Sequence, residues 1–171
     1  MLCAALLPLA AFAVEAPVSK WVGRGSSDNI TNANNWEDEL LPDLAGGTSR
    51  LEFGVSRRNN VAVNTNVSIA SLTATSPYRL YNTDGNLTLG SGGVTFSPSS
   101  SDHRLVFDDS LGIELSAAQT WDVTQGKVEV RGTLTGSHSL EKTGSGDHIL
   151  VGGNGSITGE ILLSGGRLGL N

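Results

Sequence analysis

Apolar residues in this chain recur at every second position, a few at a time, and then stop. Leu51 and Phe53 alternate with Arg50 and Glu52, and Val61 and Val63 flank Ala62. The same spacing returns at Leu87/Leu89, Val94/Phe96, Leu105/Phe107, Ile113/Leu115, Trp121/Val123, Val128/Val130, Ile161/Leu163 and Leu168/Leu170. A period of two places alternate side chains on one face of a strand. Each run therefore predicts a short strand with a pair of inward side chains. Helical periodicity is nearly absent. Glu37 to Ala45 has room for one turn, which Pro42 breaks.

Glycine separates the runs. Gly90-Ser91-Gly92-Gly93, Gly126, Gly132, Gly136, Gly144-Ser145-Gly146, Gly152-Gly153, Gly159 and Gly165-Gly166 fall between them. Sharp corners need the positive φ angles that glycine permits. Many short strands with glycine corners have two solutions. One is an antiparallel β-sandwich or barrel joined by hairpins. The other is a parallel β-solenoid whose coils stack one on the next. Strands with so few inward positions suit a coil flank, and Leu, Ile and Val recurring there can form ladders from coil to coil. The pairs that mark tight hairpins are few, at Asp84-Gly85 and Asn154-Gly155. The expected fold is all-β and solenoidal, with the sandwich as the alternative.

Met1 to Ala13 reads MLCAALLPLAAFA and ends in the small-x-small pattern Ala11-Phe12-Ala13. This predicts a secretory signal cut after Ala13, or after Ala16, too short to span a bilayer. No Lys or Arg precedes its apolar run. Cys3 lies inside it and is the single cysteine, so the mature chain has no disulfide to rely on. The net charge of −6 argues against a nucleic-acid partner or a polybasic membrane binder. An exported chain without disulfides suits a bacterial envelope or surface protein, with no membrane span after signal removal.

Residues 14–60 differ from the rest. Trp21 and Trp36 flank a polar, Asn-rich loop. The reading is a cap, because a solenoid exposes the edge and core of its first coil and bulky aromatics can cover them. The alternative is a pair of rings for stacking on sugars. Residues 61–139 are expected to form the coils and 140–171 a final repeat.

That final repeat carries a resemblance. Leu140-x-Lys142-x-Gly144-x-Gly146, then Leu150, Gly152 and Asn154, then Gly159, Leu163, Gly166 and Leu168, resembles the autotransporter-associated β-strand repeat, also called the passenger-associated transport repeat. Leu87 to Thr95, Leu111 to Gly144, Trp21-x-Gly23 and Asn35-Trp36 are similar to the segment that precedes the first such repeat in large exported bacterial proteins. The resemblance implies a right-handed parallel β-helix at the cell surface or outside the cell, with no catalytic residues to carry over. His148 departs from it, standing where an inward Leu is usual, and Ile157 lengthens a corner by one residue. No translocator barrel of amphipathic strands follows, so self-export is not expected.

Candidate chemistry is thin. His103 follows Asp102 and His148 follows Asp147, but neighbours in a strand point to opposite faces and make no dyad. His103 reads as a loop or strand-edge residue, His138 as a surface residue, and His148 as a core or corner histidine with satisfied nitrogens. Asp108-Asp109 reads as a turn, and Ile157 stands where a calcium-binding β-roll would need an aspartate. Lys127, Glu129 and Arg131 read as a solvated strand face. The sequons at Asn29, Asn66, Asn86 and Asn154 are ordinary in an Asn/Ser/Thr-rich chain.

The expectation is therefore an exported structural module, a scaffold or adhesion element, with no catalytic, cofactor-binding or metal-binding residue. A carbohydrate-binding or polysaccharide-degrading β-helix is the alternative. It would need a groove with three or more carboxylates beside an Arg or Lys. Expected partners are a surface polysaccharide or protein, or a second copy meeting an uncapped C-terminal coil edge to edge. Leu140, Leu150, Ile161, Leu163, Leu168 and Leu170 are the inward ladder positions expected of that coil.

Overall fold

A computed structural model describes residues 17–150 and 156–170, leaving aside the side chains of Ile149, Leu150 and Leu170. The expected signal, its second cut site and the Gly152-Gly153 and Asn154-Gly155 corners lie outside the described residues.

Among the described residues the elements are almost entirely strands. In chain order they are β1 (Val18–Trp21), β2 (Arg50–Phe53), β3 (Asn60–Val63), β4 (Val67–Ala74) and β5 (Tyr78–Asn82). Then come β6 (Leu87–Phe96), β7 (Arg104–Phe107), β8 (Ile113–Leu115), β9 (Gln119–Val123) and β10 (Lys127–Val130). The last are β11 (Leu134–Thr135), β12 (Leu140–Thr143), β13 (Asp147–Leu150), β14 (Ile161–Leu163) and β15 (Arg167–Leu170). Two 3-10 turns, Ala33–Asn35 and Glu37–Glu39, are the helical exceptions.

One sheet runs β1-β2-β4-β6-β9-β12-β14, with β8 and β11 joined to it at β6; the other runs β15-β13-β10-β7-β5-β3. Every strand-to-strand pairing is parallel. Parallel neighbours require a crossover between them, and here the opposite flank of each coil supplies it. The result is a β-solenoid of about five turns, and the antiparallel sandwich is excluded.

The register makes the core a set of ladders. In the first sheet Leu51, Leu72, Val94, Trp121 and Lys142 stack in one column. In the second, Tyr78, Leu105, Val128, His148 and Leu168 stack in another. Val61, Leu80, Phe107 and Val130 fill the column beside it. Apart from Leu168, all of these side chains are buried.

The glycine stretch Gly90 to Gly93 is not a corner, contrary to the sequence expectation. It lies inside β6, where the pairing with β4 slips between Ile69 and Ser71. This bulge joins two short strands into one long one, each half keeping its own inward pair. Leu87 and Leu89 pair with β8, and Val94 and Phe96 pair with β9. Gly93 makes the slip possible. Its φ is +59°, and a Cβ there would lie 2.1 Å from the Thr120 carbonyl oxygen.

The last coil departs from expectation. Leu140 is buried as predicted, but Ile161 and Leu163 are exposed together with Leu162. β14 pairs with β12 on one edge, and no described strand lies on its other edge. The inward parity is right, but no described strand stacks on it. Leu168 is half-buried.

Candidate functional site in the N-terminal cap

The cap is built on aromatic rings. Trp21 and Trp36 are buried, with ring centroids 5.3 Å apart and planes at 87°. Phe53 tilts against both, and Tyr78 against Phe53. Each indole finds a carbonyl: Trp21 Nε1 donates to Arg58 at 2.9 Å and Trp36 Nε1 to Ile30 at 2.8 Å, as buried indoles must. The Asn-rich loop is held from inside by buried Asn35. Its Oδ1 accepts from Gly25 N–H, and its Nδ2 donates to the carbonyls of Ser27 and Asn29. The rings plug the first coil. The sugar-stacking alternative fails, because neither ring presents a face to solvent.

Outside this plug the same segment forms a groove of about 320 Å³ beside β1, lined by Val18, Lys20, Glu37, Leu40, Leu41 and Asp43 among others. The chain that walls it is strained. Asp38 and Glu39 have φ of 57° and 55°, a left-handed conformation that costs a non-glycine residue about 1 kcal/mol or more. Anchors on both sides hold it there. Trp36 is locked in the plug, and Asp43 Oδ1 accepts from the N–H groups of Ala45 and Gly46.

Glu37, Asp38 and Asp43 share this groove with Lys20, the count of carboxylates that the enzymatic alternative asks for. Lys20 Nζ lies 3.9 Å from Glu37 with both side chains half-exposed, and the Asp43 carboxylate is engaged in its own turn. Among the described residues no three His, Cys, Asp or Glu side chains are placed to hold a metal ion. The groove offers the Val18 end of the β1 edge, which is closed at Trp21 by an antiparallel bridge to Trp36, under an apolar rim.

A second constellation lies inside the stack. Gln119 Oε1 accepts from Trp121 Nε1 at 2.8 Å, and Gln119 Nε2 donates to the carbonyls of Leu89 and Ala117. Lys142, fully buried, donates from Nζ to the carbonyls of Thr143, Gly144 and Gly165. Burial lowers its pKa, against the opposing pull of Asp122 and Asp147. His148 stacks on Trp121, and neither of its ring nitrogens has a hydrogen-bond partner. The expectation of a satisfied histidine is therefore wrong. The Trp121 face it stacks on offers no acceptor, and the ammonium of nearby Lys142 is turned to the carbonyls of Thr143, Gly144 and Gly165.

The remaining predicted positions stay apart. His103 follows a turn and His138 lies at the surface, away from His148. Asp108 pairs with Arg79. The row of Lys127, Glu129 and Arg131 is not uniformly solvated. Glu129 is buried between Arg104 and Arg131, its two oxygens accepting one from each.

No family model, curated protein or solved structure matches this chain. Among the described residues no helix is long and apolar enough to cross a membrane.

Proposed function

We propose that this chain is an exported structural module, a passenger-type β-solenoid that serves at the cell surface or outside the cell as a rigid scaffold or adhesion element, without catalysis. The observation that carries the reading is the unbroken ladder. From Leu51 to Lys142 each coil sets a side chain directly on the one before it, and the aromatic plug closes one end. Such a stack transmits shape along its axis and uses its chemistry for packing. The apolar segment Met1 to Ala13 and the likeness of Leu140 to Leu168 to the autotransporter-associated repeat support the export half. The test is a fusion of the chain to a phosphatase that folds only outside the cytoplasm. Activity that vanishes when residues 1–13 are deleted is the expected result. Equal activity with and without them would remove the export reading.

One observation favours a carbohydrate-binding role alongside it. Arg79, Arg104, Lys127 and Arg167 all lie on strands of the second sheet, and Arg104 and Lys127 are direct neighbours in register. An open groove of about 270 Å³ beside them is lined by Asn59, Asn60, Tyr78, Arg79 and Arg104. Asp108 and Glu129 pair with Arg79 and Arg104, and Asp147 stands between Lys127 and Arg167, so this mixed-charge face suits a glycan that offers hydroxyl groups as well as carboxylates. Retention on immobilised polygalacturonate, lost in the Arg79→Gln/Arg104→Gln variant, would support it. Equal retention of both chains would dismiss it.

A further inference from the structure

The large exposed apolar side chains of the described surface gather at two places. Val18 (46% exposed), Leu40 (70%) and Leu41 (48%) stand at the cap groove, and Ile161 (37%), Leu162 (49%) and Leu163 (48%) make up the whole of β14. Val55, in the loop after β2, is the exception. These two places are the opposite ends of one sheet, since β1 and β14 are its terminal strands.

Their backbone groups are in complementary phase. Just before β1 the Pro17 carbonyl accepts from Arg50 N–H. Residues of a parallel strand bond alternately to one side and the other, so Val18 turns its N–H and C=O away from β2 and into the groove. In β14 the neighbouring carbonyl of Glu160 accepts from Leu140, and Ser164 N–H donates to Lys142. Ile161 and Leu163 therefore turn their groups away from β12, to the open edge. Following the register through the sheet places Ile161, Leu162 and Leu163 in the columns of Pro17, Val18 and Ser19. A further step of the same parallel sheet would bring the Val18 N–H to the Ile161 carbonyl and the Leu163 N–H to the Val18 carbonyl. It would also lay Leu162 against Val18.

We propose that the chain assembles head to tail, with β14 of one copy entering the groove beside β1 of the next, so that the first sheet continues across the junction. The occupant is a second copy, because the slot and the strand that fits it are both carried by this chain and share direction, register and apolar character. The strained Asp38-Glu39 pair sets Leu40 and Leu41 at the rim, where they would cover the incoming strand. The contact is heterologous, so it builds linear filaments and does not close into a dimer. The inference is independent of whether the chain is exported.

Sedimentation velocity on the purified chain tests it with two variants. Leu162→Lys blocks the β14 end with an edge charge, and Leu40→Asp/Leu41→Asp blocks the groove end. The wild-type mass should rise with concentration without reaching a plateau, while each variant alone stays monomeric. An equimolar mixture of the two should double in mass and stop, since one free groove and one free β14 remain. A misfolded variant could not restore assembly in this way. A monomeric wild-type chain overturns the proposal. So does a groove-blocked variant that dimerises alone, which would mean that β14 pairs with itself, or a mixture that stays monomeric.

Discussion

His148 lies flat against Trp121 inside the solenoid, with ring centroids 4.8 Å apart and planes 22° from parallel. The two residues come from opposite flanks, β13 and β9, and meet across the core. The stacking buries the imidazole completely and leaves both nitrogens unpartnered. Burial first, and the Lys142 ammonium second, push the His148 pKa down to about 3 from 6.5.

Acid should therefore act on this fold through His148. The folded chain keeps the ring neutral down to about pH 3, whereas the unfolded chain takes up a proton near 6.5. The contribution is fully present above about pH 6.5 and is lost as pH falls from there toward 3, at up to about 1.4 kcal/mol per pH unit. His148→Leu removes this dependence. It should also raise stability at neutral pH by about 1 kcal/mol, because two unsatisfied polar atoms leave the core. Urea unfolding of both chains from pH 8 to pH 4 measures the difference. Parallel curves would show that His148 does not titrate this way.

Glu129 should matter more than a surface carboxylate does. It is buried, with one oxygen accepting from Arg104 and the other from Arg131, and hydrogen bonding to Glu129 raises the Arg131 pKa. Glu129→Gln keeps the shape and removes the charge. The expected loss is about 1 kcal/mol, since both guanidinium groups are partly solvated and screened. The loss should shrink in high salt. An effect that salt leaves unchanged would point to packing as its source.

The coil architecture was legible because each coil needs only a pair of inward residues, and period two shows them. What was hidden depends on phase or on distance along the chain. In β4 the bulge shifts the inward set from Val67 and Ile69 to Leu72 and Ala74, and the change of parity conceals the strand. Lys142 shares parity with Leu140 and so was readable as inward, though charge argued for the surface. The burial of Glu129 depends on Arg104, 25 residues earlier and adjacent only once the coils stack. The left-handed Glu39 has no signal in residue type, and Asp38 carries only the tolerance of aspartate for that region.

Gly93 should be irreplaceable. Gly93→Ala would place a Cβ 2.1 Å from the Thr120 carbonyl oxygen at a φ of +59°. Backbone strain and steric overlap together should cost about 3 kcal/mol or more. The control is Gly54→Ala, where a Cβ would meet its nearest neighbour, Thr75 Oγ1, at 3.9 Å, and which should be close to neutral. Thermal unfolding of the two variants separates them. Similar melting temperatures would mean that the bulge can relax.

Lys142 should act as a cross-coil staple. Its ammonium accepts no bond, so three carbonyls converging on one Nζ satisfy its donors. Two of them, from Thr143 and Gly144, belong to its own corner. The third, from Gly165 at 3.2 Å, belongs to the next coil. Lys142→Met retains most of the apolar stem and removes the donors, leaving three corner carbonyls to find water or stay unpaired. The gain from removing a desolvated charge offsets part of that loss, so a net cost of about 2 kcal/mol is expected. Its location distinguishes this variant from a general core defect. Amide exchange should quicken at 143–147 and 164–167, the two corners the ammonium joins. It should stay unchanged in β2 and β4, beyond the reach of the staple. Uniform loss of protection along the whole stack would show that Lys142 supports the coils together and does not fasten one corner to the next.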